Sequence, residues 1–188
     1  MDKPVLYINA CVRQASRTKL LAEDLLAKLG EPYEEVKLAE ITFPVVTEDY
    51  LSQRDKLIEA GETDHPMFKL AGQFAEAKTI VIAAPFWDLS FPAMLKQYLE
   101  IINVVGITFK YSEDGLPVGL CAADRLYYVS TAGGHYVPEE YGYGYIKALA
   151  RGYYGIADVR KIEAVGLDIV GADADAILAE AKQSINQT

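Results

Sequence analysis

The chain has 188 residues, 51% of them hydrophobic, which suffices for the core of a single domain spanning 1–188. A formal net charge of −9 excludes a nucleic-acid or anionic-membrane partner, because both need a basic footprint, so any bound anion must be held locally by N–H groups and a few arginines. No apolar stretch reaches the length of a membrane span, "MDKPVLYINA" lacks the features of a signal peptide, and two cysteines make neither a metal pattern nor a disulfide framework, which together predict a reduced, cytoplasmic protein without metal.

In chain order, "PVLYINA" (4–10) is a short apolar run of the kind found in strands buried on both faces. The following segment carries Leu21, Leu25 and Leu29 at helical spacing, with Ser16 placed to cap the helix and Gly30 to end it. "YEEVKL" (33–38) reads as a second strand. Helices are expected over 48–60 and over 64–77, the latter opening at Thr63–Asp64 and grouping Leu70, Phe74 and Ala77 on one face. "KTIVIAAP" (78–85) is the strongest strand, stopped by Pro85, and 91–106 is expected to be a helix with Pro92 in its first turn. Residues 107–120 break the alternation, and Asp114–Gly115 between short β-type runs predicts an inserted hairpin. "RLYYVSTAGG" (125–134) is a fourth buried strand ending in glycines. A tyrosine-rich helical stretch (139–153), a fifth strand (158–167) and a closing helix (173–186) complete the pattern.

Five alternations of strand and helix predict an α/β fold: a doubly wound, five-stranded parallel sheet with helices on both faces, plus the small hairpin. Ligands of such sheets bind beyond the carboxyl ends of the strands, where the winding reverses. The loops after strands one, three and four, residues 10–18, 85–91 and 130–136, should therefore converge.

The first loop has two readings. Cys11 through Thr18 has the Cys-x5-Arg spacing of a phosphatase nucleophile loop, but Val12, Arg13 and Gln14 are bulky, no glycine lies inside it, and no Asp-Pro pair is available as a general acid. The second reading is a phosphate cradle, with helix N–H groups, the Ser16 and Thr18 hydroxyls and the charge of Arg17 or Arg13 around an anion. Phe86 and Trp87 at the mouth of the sheet should cover something flat and apolar, a ligand or a second subunit. N–H groups of 86–89 would meet its polar edge. Gly133 and Gly134 let a backbone approach closely. A planar ring with a phosphate tail, such as flavin mononucleotide (FMN), suits all three.

These residues resemble the flavodoxin-like NAD(P)H oxidoreductases, the group of FMN-dependent NADH-azoreductases and quinone reductases. The likeness runs from "VLYINACVRQASRTKLLAEDLL" through "IVIAAPFWDLSFPAMLKQYLEIINVVGITFKYSEDGLPVGL" to "STAGG". It implies that Ser16, Arg17 and Thr18 hold the FMN phosphate, that Pro85, Phe86, Trp87, Asp88 and Leu89 line the isoalloxazine, and that Thr131, Ala132, Gly133 and Gly134 approach its pyrimidine side. It also implies a homodimer, NADH or NADPH as electron donor, and a small-molecule acceptor: a quinone, azo or nitro compound. No catalytic side chain is implied. A flavodoxin-type electron carrier is the alternative, and the phosphatase a weaker one. The chain departs from the azoreductase pattern at Asp88, Ala10 and Ala132, where asparagine, serine and arginine are usual.

Overall fold

The structure, a computed structural model, describes residues 5–185. Five strands form one parallel sheet: β1 (Val5–Asn9), β2 (Tyr33–Lys37), β3 (Thr79–Ala83), β6 (Arg125–Thr131) and β7 (Asp158–Ala164). The two remaining strands, β4 (Phe109–Tyr111) and β5 (Pro117–Gly119), pair antiparallel as the expected hairpin, with Gly115 at φ 76° in its turn. The sheet order is β2-β1-β3-β6-β7. The chain steps outward from β1 to β2, then returns to β1's other side at β3. The winding reverses there, and the loops leaving β1 and β3 diverge to opposite faces and open a crevice.

Helices cover both faces because the strand side chains alternate between two cores. Tyr7, Val81, Tyr127 and Val129 pack with Leu21, Leu25 and Leu26 of α1 (Arg17–Leu29) and with Ala181 and Ile185 of α6 (Ala174–Ile185). Leu6, Ile8, Ile80, Ile82 and Tyr128 face the other way. They meet Phe74 of α3 (Lys69–Glu76), Leu95, Tyr98 and Leu99 of α4 (Ala93–Ile102), and Ile146 of α5 (Tyr143–Leu149). Full burial of each valine, leucine, isoleucine or phenylalanine among them stabilises by roughly 1.5–3 kcal/mol. The remaining helix, α2 (Glu48–Glu59), has no fully buried residue and rests on the second core through Leu57 and Ile58. Among the described residues, no helix is long and apolar enough to cross a membrane.

Several expected boundaries shift. The helix expected from Thr63–Asp64 starts at Lys69, because Pro66 opens a short 3-10 turn (Pro66–Phe68) in which His65 Nδ1 accepts the Met67 N–H at 3.2 Å. The helix expected over 91–106 ends at Ile102, where the Thr108 hydroxyl donates to the Ile102 carbonyl at 2.7 Å and Pro92 stands just before the first turn. The stretch 139–153 is a 3-10 turn, then α5, then a π-helical turn (Ala150–Tyr154) closed by Gly155 at φ 78°. The strands after 78, 125 and 158 stop at Ala83, Thr131 and Ala164, short of the expected ends, leaving Pro85 and Gly133–Gly134 in loops. Pro4 and Asn186, the outer bounds expected for the first strand and last helix, lie outside the described residues.

Candidate functional site

At the end of β1, Asn9 sets the direction of the first loop. Its side-chain Nδ2 donates to Glu35 Oε1 at 2.8 Å and its side-chain Oδ1 accepts the Cys11 N–H at 2.9 Å. The chain then runs exposed through Val12–Ala15 to Ser16, whose hydroxyl accepts the Lys19 N–H at 3.3 Å and caps α1. Arg17 and Thr18 are the first two helical residues. Their N–H groups have no partner among the described residues and point out of the positive end of the helix. Cys11 is half-buried, and burial pushes its thiol pKa up, with the neighbouring Ser16 hydroxyl offsetting part of the effect. A thiolate nucleophile needs the opposite shift, so this cysteine is unsuited to the phosphatase reading.

The loop after β3 is a hairpin in miniature. Trp87 and Ser90 exchange two backbone hydrogen bonds of 2.9 and 2.8 Å, with Asp88 at φ 49° and Leu89 at φ 68° between them. Positive φ at both central residues is the conformation of a primed turn, usually occupied by glycine or asparagine. A leucine there stores strain, which is a feature of ligand-binding loops. The Phe86 N–H is bonded to the Thr131 carbonyl at 3.0 Å and the Trp87 N–H to Ser90. Of the four N–H groups expected to face a ligand, those of Asp88 and Leu89 remain uncommitted among the described residues.

The loop after β6 is locked to its neighbours. Thr131 and Thr18 share a buried hydroxyl–hydroxyl hydrogen bond of 2.6 Å that ties β6 to α1. Two hydroxyls carry two hydrogens, so one stays free to donate elsewhere. Beyond Thr131 the backbone zips to the segment after β7: Ala132 N–H to Ala164 O, Leu167 N–H to Ala132 O, Asp168 N–H to Gly133 O and Gly166 N–H to Gly134 O, at 2.9–3.2 Å.

The three loops enclose a cleft of about 250 Å³. Nine of the twelve expected site residues line it: Ser16, Arg17 and Thr18; Pro85, Phe86 and Trp87; and Thr131, Ala132 and Gly133. Asp88 and Leu89 instead border an adjoining, largely apolar hollow of about 590 Å³ with Phe91, Tyr141 and Tyr145, and Gly134 lines neither. A family model described as "Flavodoxin-like fold" matches residues 3–188. The chain belongs to this flavodoxin-like family. Among its relatives, a protein of Clostridium beijerinckii named FMN-dependent NADH:quinone oxidoreductase is 38% identical over 197 residues, covering 98% of this chain and 96% of the relative. FMN-dependent NADH:quinone oxidoreductase 2 of Clostridium acetobutylicum is 39% identical over 189 residues, covering 93% and 92%. A solved FMN-dependent NADH-azoreductase of Bacillus anthracis in complex with FMN superposes with a TM-score of 0.82 at 26% identity, covering 100% of this chain and 97% of that one.

In this flavodoxin-like protein the sequence reading missed Asp168. It follows β7, a strand whose loop was not among the three selected, and it reaches the cleft by pairing with Arg17 across 151 residues. Arg17 Nη2 donates to Asp168 Oδ1 at 2.8 Å and Arg17 Nη1 donates to the Leu167 carbonyl at 3.2 Å. The rule that ligands gather at the carboxyl ends of strands, applied to all five strands, would have included it.

Proposed function

We propose that this protein is an FMN-dependent NADH:quinone oxidoreductase that holds FMN in the cleft between the loops after β1, β3 and β6. The observation that carries the reading is the meeting, in one cleft, of a donor-rich helix end with an aromatic wall. The names of relatives matched over more than nine-tenths of both chains support it.

The residues present suit the group. Uncommitted N–H groups of Arg17 and Thr18, the spare hydroxyl hydrogen of the Thr18–Thr131 pair and the exposed guanidinium of Arg13 form a donor set for a phosphate monoester. Phe86 and Trp87 offer apolar faces to a flat ring. The Asp88 and Leu89 N–H groups offer donors to the ring's polar edge. Bound FMN supplies two-electron transfer between a nicotinamide and an acceptor. The chain's own part is to orient: α1 fixes the tail, the Trp87–Ser90 turn fixes the ring, and the Thr18–Thr131 bond holds the two supports in register. The acceptor is a small flat molecule, a quinone or azo compound, meeting the site beside Trp87, which is 37% exposed.

A homodimer is part of the same proposal. Leu89 and Tyr141 expose 46% and 58% of their surface and border the same apolar hollow beside the turn, an area suited to a second copy. Purified protein should show flavin absorption bands or bind added FMN one to one, and should oxidise NADH with a quinone. Colourless protein that does not take up FMN overturns the reading. A monomeric mass by light scattering at micromolar concentration overturns the dimer alone.

A further inference from the structure

A carboxylate beside a phosphate cradle is an obstacle, and Asp168 stands in that position. Its Oδ1 accepts the Arg17 hydrogen bond, and its Oδ2 fills the space left by Gly133, 2.3 Å from where a Cβ would be. The close approach that this glycine permits is therefore used by the protein's own carboxylate. The Asp168 side chain is 66% exposed and Arg17 34%. An ion pair so exposed contributes little stability.

We propose that Asp168 is a gate for the phosphate end of the cleft: its carboxylate occupies Arg17 until a phosphate monoester displaces it. The inference rests on the flavin reading for the identity of the ligand. The exchange favours the incoming group, because a phosphate brings more charge and more acceptor oxygens and meets the amino end of α1 as well. The gate opens by side-chain rotation alone. The backbone at 167–168 stays bonded to Ala132 and Gly133, and the Arg17 bond to the Leu167 carbonyl keeps the guanidinium in the cleft when the carboxylate leaves. Asp168 thus lowers affinity for a phosphorylated ligand without affecting the same ring lacking its phosphate.

The test is equilibrium binding of FMN, riboflavin and inorganic phosphate to the full chain and to Asp168→Asn. FMN should bind the variant about tenfold more tightly, the scale of one charged hydrogen bond, and inorganic phosphate should also bind more tightly. Riboflavin should change by less than about twofold, as expected for a ring without the phosphate contacts. In an Arg17→Gln background the same change at 168 should leave FMN affinity nearly unaltered, because the competition runs through Arg17. Weaker FMN binding by Asp168→Asn would make the carboxylate a support for Arg17 and overturn the proposal. So would an unchanged affinity, or an effect that persists without Arg17 and marks simple repulsion. If the protein binds no flavin at all, the functional reading fails, and the inorganic phosphate measurements alone decide the exchange.

Discussion

Leu89 shows how a single residue trades stability for position. At φ 68° its backbone is in the left-handed region, which costs a residue with a Cβ roughly 1–2 kcal/mol. Almost half its surface is exposed, so little burial compensates. Leu89→Gly should raise the unfolding free energy by about 0.5–1 kcal/mol in urea, the relief exceeding the added freedom of the unfolded chain. The looser turn should bind FMN less tightly. A variant that is less stable would show that the turn is not strained. Cys121 offers a second residue-scale prediction, with a defined sign. Burial raises its thiol from 9.0 to about 12. The unfolded chain loses this proton first, so the group's contribution is complete below pH 9 and falls away as pH rises from 9 towards 12. Wild-type stability should therefore drop more steeply over that window than that of Cys121→Ala, measured by urea unfolding at stepped pH. Parallel curves would contradict the shift.

The helix α1 belongs to both the core and the cleft, and its two ends separate those duties. Gly30 ends it at φ 67°, where its N–H bonds the Leu26 carbonyl at 3.2 Å, far along the helix from the cleft. Gly30→Ala should cost about 1 kcal/mol of stability and leave FMN affinity unchanged, since only the left-handed cap is disturbed. Ser16→Ala should cost about 0.5–1 kcal/mol through the lost cap and should also weaken FMN binding, because Ser16 lines the cleft. Thermal melts with and without FMN separate the two. Elements of this kind were legible from the sequence, since the leucine spacing and the two caps are local signals. The five strands and the hairpin were legible for the same reason. What was not legible was set by contacts and backbone conformations that the hydrophobic pattern does not report. Thr108 ends α4 from outside it, Gly142 separates the 3-10 turn from α5, and Gly155 closes the π-helical turn that follows α5. In the site, the convergence of the loops after β1, β3 and β6 on one cleft was readable, and the Arg17–Asp168 pair was not, because nothing near Arg17 in sequence indicates a carboxylate 151 residues away.

At the scale of the whole molecule, charge and ligand are opposed. The chain carries −9 and an FMN phosphate would add about −1.5 to −2 at neutral pH, so the long-range field would repel the ligand proposed for the cleft. The two effects act over different distances. The repulsion acts through solvent and fades beyond roughly 8 Å at physiological ionic strength, whereas the helix N–H groups and guanidinium act in contact. Added salt should therefore speed FMN association, the reverse of a site on a basic protein. Dissociation should also quicken, since the exposed contacts are screened in their turn. Riboflavin, with the same ring and no phosphate, should associate at a rate nearly independent of salt. Stopped-flow quenching of flavin fluorescence between low and moderate ionic strength reads both rates. An FMN association rate that falls as salt is added would mean that the arginines dominate the approach as well as the bound state, and that the net negative charge is turned away from the cleft.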